Sequence, residues 1–311
     1  MALTSAVPRG AGDLPQELVD NIIGCMRDSL IDLRACSLVC KSWSAPASRH
    51  LFANFEVKKN RIRALLPLLE SSERIRNAVT SLTLGSDHVC YVASQFPPQV
   101  TGPHISEETL QVTFGLEEVL AIMAQLPRLR CVDMRGLSLK SIPNRHSLDD
   151  IQDMHFDLEM LRIIDIWDFV FEPSSIIRFF SAFDEIHYMS FELIQAFPIP
   201  TNIPTSVPQD RTTFRPVVIH SLTLACGPMS PFPWMADMFE AICESDKLTR
   251  LRLQCQSEDC EATISFYRRL LPRFKYLKEL QINVPMLSWS LATIHGKGLR
   301  GTCQSHISHT N

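Results

Sequence analysis

Cys36 and Cys40 stand four residues apart in "DLRACSLVCKSW" (32–43), with Trp43 just beyond them. Two thiols at helical spacing beside an indole suit a metal site, a redox pair or a reactive nucleophile. They suit apolar packing equally well. The chain holds 10 cysteines in 311 residues and no C-x-x-C. Without a secretion signal such a set reads as reduced thiols, mostly buried as small hydrophobes, rather than as a disulfide framework.

The other chemistry-bearing stretches yield less. His295, Cys303, His306 and His309 carry zinc-type donor atoms, but a structural zinc site needs a scaffold and tight paired spacings, so a solvated tail is the simpler reading and no metal is expected. Gly296 to Gly301 spell G-x-G-x-x-G with only ten residues beyond and no acid among them. A dinucleotide site requires that motif at a strand-to-helix turn, with an acidic residue about twenty positions on. Cys226, Cys255 and Cys260 follow strand-like segments and read as loop packing. G-x-S-x-G, H-E-x-x-H and the P-loop signature are absent, and no cysteine has an obvious base with an orienting carboxylate. The expectation is a non-enzyme without cofactor.

The bulk numbers agree with a globular chain. Hydrophobic residues make up 45% and charged residues 21%, and the formal net charge is −4. That balance gives no electrostatic case for nucleic acid or an anionic membrane. "MALTSAVPRGAG" lacks a signal-peptide h-region, and no apolar run approaches the roughly 18 residues of a membrane span. A soluble intracellular protein, cytoplasmic and/or nuclear, is expected.

The cysteine pair sits in a helical segment. Asp13 and Pro15 are helix-start residues, and Leu18, Val19, Ile22, Ile23 and Met26 recur every three or four positions. Asp28 and Ser29 can cap a second helix towards Cys40, and a third runs to Pro46 or a little beyond. These forty residues carry Leu14, Leu18, Ile22, Ile23, Leu30, Leu33, Leu38, Val39 and Trp43, more apolar surface than three short helices can hide from one another. Part of it must meet the rest of the chain or another protein. Residues 57–79 then read as one basic amphipathic helix.

From residue 79 the pattern apolar-x-x-apolar-x-apolar returns seven times, starting at 79, 129, 161, 186, 219, 248 and 277, with helix-like segments at 116–126, 173–183, 233–245 and 261–274. Strand then helix at near-constant period predicts a one-dimensional α/β stack. The residue between the last two apolar positions is Thr83, Asp133, Asp165, Ser190, Thr223, Arg252 and Gln281, polar in every case. Such alternation predicts one buried face and one facing solvent. Residues 85–113 read as a loop or a decayed repeat, 198–216 with five prolines as a long loop, and 287–311 as a tail without period.

Leu14-Pro15-x-Glu17-Leu18-Val19-x-x-Ile22-Ile23, Leu30-x-x-Leu33, Cys36-Ser37-Leu38-Val39-Cys40-Lys41-x-Trp43 and His50-Leu51-Phe52 together resemble a fungal-type F-box. The later region resembles the leucine-rich-repeat receptors that often follow one, with their asparagine ladder missing. The resemblance implies an α+β/α/β protein: a disordered lead (1–9), a three-helix F-box (10–52), a helical linker (53–78), an irregular leucine-rich-repeat-like solenoid of parallel strands alternating with helices (79–284), and a disordered tail (285–311). It implies a substrate-recognition adaptor of a cullin-RING (SCF-type) ubiquitin ligase acting in protein degradation. Leu14, Pro15, Glu17, Leu18 and Ile22 would face the Skp-family adaptor. Leu38, Val39, Cys40 and Trp43 would give either a second contact surface or the module's own small core. A helix break near Val39–Cys40 is implied as well, which separates the two thiols. On the repeat region Asp133, Asp165, Arg250 and Arg252 would meet an unknown protein substrate, the arginines an acidic or phosphorylated segment; solvated strand charges explain them too. A repeat-built interaction protein that uses its F-box without ubiquitylation is the alternative.

Overall fold

The computed structural model describes residues 14–58, 61–85, 113–114, 116–139, 154–164, 179–193, 215–226, 239, 242–244, 246–255 and 271–283. The predicted lead, most of the proline-rich stretch, the tail, Asp165, Cys260 and the greater part of the helices expected at 173–183, 233–245 and 261–274 lie outside these residues.

Three helices open the described chain: α1 (Gln16–Cys25), α2 (Leu30–Val39) and α3 (Lys41–Ala53). Pro15 is the N-cap of α1, and its carbonyl accepts the amides of Leu18 and Val19. Ser29 caps α2, its hydroxyl accepting from the Asp32 amide, as a short oxygen side chain does for an orphan helix donor. Cys40 has extended backbone, ends α2 and begins α3. Inside α3, Pro46 has no N–H to offer the carbonyl of Ser42 four residues back. Gln16 Nε2 donates to that carbonyl instead, at 3.4 Å, which brings the start of α1 to the α2–α3 junction. Val19, Ile23, Leu33, Cys36 and Ala47 form the small core, with Met26, Trp43 and Leu51 packed against it.

The expected single helix over 57–79 is not what forms. Strand β1 (Asn54–Val57) follows α3 directly, and then come two helices, α4 (Ile62–Ser71) and α5 (Glu73–Arg76). They are separated at Ser72, whose hydroxyl caps α5. The Arg74 guanidinium on α5 donates to Ser44 O (2.5 Å), to Ser44 Oγ (2.7 Å) and to Ser48 Oγ of α3, satisfying a buried hydroxyl.

Beyond α5 come β2 (Ser81–Gly85), β3 (Thr113–Phe114), α6 (Leu116–Ala124), β4 (Cys131–Arg135), β5 (Ser138–Leu139), β6 (Phe156–Ile164), β7 (Phe183–Leu193), β8 (Val218–Cys226), β9 (Arg250–Cys255) and β10 (Glu279–Asn283). Among the described residues eight strands make one sheet in the order β1-β2-β4-β6-β7-β8-β9-β10, and every neighbouring pair is parallel. β3 and β5 form a separate parallel pair. Strands added one after another in sequence order, all in one direction, give a solenoid-like α/β layout. Among the described residues no helix is long and apolar enough to cross a membrane.

The register explains the six-residue pattern. Leu82, Val132, Leu161, Met189, Leu222, Leu251 and Leu280 stand opposite one another across the sheet, as do Leu84, Met134, Ile163, Phe191, Leu224, Leu253 and Ile282. These two apolar rows pack with Ile62, Leu65 and Leu69 of α4 and Val119, Leu120 and Met123 of α6 in one core. The pattern's first residue, at 79, 129, 186, 219, 248 and 277, is buried in the same core. Two outward residues therefore follow each first position, and the chain bulges there. Thr80 O accepts from the amides of both Arg130 (2.8 Å) and Cys131 (3.1 Å); Arg130 O accepts from Glu159 (2.8 Å) and Met160 (3.1 Å); Thr249 O accepts from Lys278 (2.8 Å) and Glu279 (3.1 Å).

The third repeat sits in a different frame from the expected one. Its apolar partners are Leu158, Leu161 and Ile163, so the pattern begins at 158, and Arg162 rather than Asp165 occupies the interior polar row. "LEMLRI" and "LRIIDI" overlap in sequence and both satisfy the pattern; pairing with Val132 and Met134 selects the first. The expectation of a solvent-facing polar row also needs correction. Asp133, Ser190 and Thr223 are 6%, 0% and 7% exposed, while Arg252 is exposed as expected.

Candidate functional site

Two surfaces collect the residues that the sequence singles out. The first is the helical head. Once Val19, Ile23, Leu33 and Cys36 are inside, several large apolar side chains of α1 and α2 and of the turn before α1 remain uncovered by the described residues. Leu14 (39%), Leu18 (49%), Leu30 (56%), Ile31 (79%), Leu38 (85%) and Val39 (52%) are exposed. Scattered apolar residues are ordinary on a protein surface, but six within 26 consecutive positions are not. The Gln16–Ser42 hydrogen bond ties the start of α1 to the α2–α3 junction, next to the end of α2 that carries Leu38 and Val39. Pro15 and Glu17 are exposed and Ile22 is half-buried. Trp43 is half-buried and packs on the internal cluster, so of the expected second group Leu38 and Val39 face outward and Trp43 inward.

The cysteine pair that motivates a chemical reading is divided by the break at Cys40. Cys36 is buried with its thiol 3.5 Å from Met26 Sδ. Cys40 is half-buried, and its thiol shares a hydrogen bond with Ser42 Oγ at 3.0 Å. That hydroxyl, followed by the N–H groups of Trp43 and Ser42 at the head of α3, holds the Cys40 thiol below the usual cysteine range. Cys243 is the opposite case, pushed up to about 12 by burial and secondarily by Glu244. Burial and then Glu159 raise Cys131. Alkylation with iodoacetamide at neutral pH should therefore modify Cys40 early and leave Cys243 untouched until the protein unfolds. Peptide mass mapping over time reads the order, and equal rates at the two sites would contradict it.

The second surface is the face of the sheet turned away from the core. Asp133 and Arg135 of β4 form a bidentate pair (3.0 and 2.6 Å). Arg162 of β6 donates to Glu192 of β7 at 3.2 and 3.1 Å, and Glu192 also accepts from Ser190 (2.7 Å). Tyr188 donates to Thr223 of β8 at 3.2 Å. The middle of this face is thus a self-satisfied polar network, in which a carboxylate at low exposure has its counter-ion beside it. Asp133 is part of that network and its carboxylate is not presented outward. Exposed charges lie at Arg130 and Glu159, which pair at 2.9 Å, and on β9 and β10, where Arg250 pairs with Glu279 at 3.3 Å. Arg252 donates to the side-chain oxygen of Gln254 (2.9 and 2.8 Å) once that amide is oriented to suit its neighbours. Exposed pairs of this kind hold each other weakly, by about 0–1 kcal/mol.

At the entry edge of the same face, Glu185, His187 and His220 converge. No local spacing joins them, because Glu185 and His220 are 35 positions apart and meet only through β7–β8 pairing. A signal was present: the repeats at 186 and 219 both begin Ile-His. Equal positions in successive repeats become neighbours.

No known protein-family model matches the chain, and no curated protein sequence matches it.

Proposed function

We propose that this chain is the substrate-recognition adaptor subunit of an SCF-type cullin-RING ubiquitin ligase. In this reading the helical head is an F-box that docks on a Skp-family adaptor, and the parallel-strand region is a leucine-rich-repeat-like receptor for a protein substrate. Catalysis belongs to other subunits. The chain acts by proximity, raising the effective concentration of substrate near a charged conjugating enzyme.

The observation that carries the reading is the exposure of Leu14, Leu18, Leu38 and Val39, at positions where the F-box pattern calls for adaptor contacts. Burial on a partner would supply up to roughly 1.5–3 kcal/mol for the most exposed of them, Leu38, and about half of that for the others, and Leu30 and Ile31 extend the available area. Together they offset the lower part of an association cost on the order of 4–15 kcal/mol. The direct passage from α3 into β1 supports it further, since a receptor sheet joined to its docking unit without a linker holds a bound substrate at a set distance from the ligase.

Co-purification from cells tests the reading. The full chain should bring down a Skp-family adaptor together with cullin and RING subunits. Pro15→Ala with Leu18→Ala should abolish this while leaving the thermal unfolding midpoint within a few degrees. Loss of a central apolar anchor costs about 2 kcal/mol or more, some thirtyfold in affinity. Undiminished recovery with the double variant would remove this face from the docking surface. Recovery of the adaptor alone would favour a non-degradative interaction protein.

A further inference from the structure

The geometry points to a surface zinc site formed by Glu185, His187 and His220, independent of the adaptor reading. Ile186 and Ile219 are fully buried in the core, so Glu185 and His187 on β7 and His220 on β8 all project from the opposite face. His187 and His220 occupy the same position of successive repeats, the first of the two outward residues after the buried isoleucine. Their rings stack at 5.1 Å with 17° between planes. One carboxylate oxygen lies near both Nε2 atoms: Glu185 Oε1 is 2.6 Å from His220 Nε2, a hydrogen bond, and 3.8 Å from His187 Nε2. The three donor atoms lie within 4.8 Å of one another.

Two donors bound to one tetrahedral zinc at 2.0–2.2 Å sit about 3.3–3.6 Å apart, a range that the two donor spacings to Glu185 bracket. The two ring planes are nearly parallel, so both imidazoles must turn about their terminal torsions to bring the Nε2 lone pairs onto one ion, and these torsions, like that of the carboxylate, are soft. The two strands are held in register on either side of the histidines, by the Glu185–Val218, Ile186–Ile219 and Tyr188–Ser221 pairs, so little order must be created on binding. One carboxylate and two neutral imidazoles give a borderline, singly charged donor set, which suits Zn2+ and disfavours Mg2+ and Ca2+. Arg215, just before β8, is held by Asp184 at 2.6 Å. Asp184 is also 3.0 Å from His155, a second acid–histidine contact with a guanidinium already in it and thus no place for a cation. Three protein ligands leave the fourth zinc position to water.

Titration of the reduced full-length chain with Zn2+, followed by calorimetry and by histidine side-chain 1H–15N correlation spectra, tests the assignment. One equivalent should shift two imidazoles, and the shifted signals should be those missing in His187→Asn and His220→Asn. Each substitution should weaken the site at least tenfold, and Glu185→Gln should weaken it less. The thermal midpoint of the zinc-free variants should match the parent, which separates ligand loss from misfolding. The chain's other histidine cluster provides the control: His306→Ala with His309→Ala should leave this equivalent in place. Zinc binding that is unchanged by the two strand substitutions, that disappears with the tail substitutions, or that is absent altogether overturns the site.

Discussion

Phe183→Ala should lower stability by about 3–5 kcal/mol, the range for deleting a buried aromatic side chain. Phe183 is fully buried at the first position of β7, opposite Phe156 of β6. Its ring lies 5.2 Å from Phe179, 6.3 Å from Phe180 and 5.7 Å from Phe156, with the Phe179 contact edge-on. Phe179 and Phe180 belong to the helical turn just before β7, so four rings weld a turn to the ends of two strands. Alanine removes both the transferred area and the aromatic contacts, and rings held by three different pieces of backbone cannot collapse into the gap. At roughly 2–4 °C per kcal/mol for a domain of 150–250 residues, the thermal midpoint should fall by about 6–20 °C. Because each strand of the stack touches only its neighbours, loss of amide protection should be largest in β6 and β7 and smaller in β1 and β10. Phe183→Leu should recover part of the loss. A midpoint within a degree of the parent would show that this cluster does not hold the sheet together.

The elements that could be read from sequence are those in which a local rule and the global packing agree. Ser29 caps α2 because an oxygen side chain meets an orphan amide wherever a helix begins. The apolar-x-x-apolar-x-apolar strands were legible because three inward positions and a recurrent bulge are written into each repeat. Three features were not legible, each for a physical reason. "NFEV" is too short to carry a period, so β1 becomes a strand only because β2 offers it a parallel partner. The frame of β6 depends on which of two overlapping matches aligns with Val132 and Met134, a long-range choice that moved the polar row from Asp165 to Arg162. Alternation states which face a side chain leaves from and nothing of what covers it, so the burial of Asp133, Ser190 and Thr223 followed only from their surroundings, Arg135 and Glu192 on the same strands and Arg162 and Tyr188 on neighbouring ones. The candidate sites divide along the same line. Leu14, Leu18, Leu38 and Val39 were legible as surplus apolar surface, while Glu185, His187 and His220 required the pairing of two strands.

Gly85→Ala should be as damaging as the loss of a core aromatic, though it adds a single methyl group. Gly85 closes β2 with φ +120°, a region that side-chain-bearing residues rarely adopt. It pairs with Arg135 of β4, and a Cβ placed on it would lie 1.8 Å from the Arg135 carbonyl oxygen and 2.8 Å from its carbon. The obstacle is backbone, so no rotamer change relieves it. Either β2 moves off β4 by more than an ångström, breaking ladder hydrogen bonds and opening the packing of Leu84 against Met134, or Gly85 leaves its native conformation and the strand end frays. Both routes also disturb Arg135, whose guanidinium neutralises the buried Asp133 carboxylate at 2.6 Å, and a buried charge deprived of its partner is costly. The combined cost should reach about 3 kcal/mol or more, the upper part of the range for single substitutions. Chemical denaturation of the full chain reads it as a lowered midpoint, and hydrogen exchange should show β2 and β4 losing protection ahead of β8 and β9. Arg135→Ala separates the two contributions. It removes the counter-ion but not the carbonyl, so it should cost clearly less than Gly85→Ala. If the two variants unfold at the same midpoint, the close approach of the strand backbones is not what requires glycine at this position.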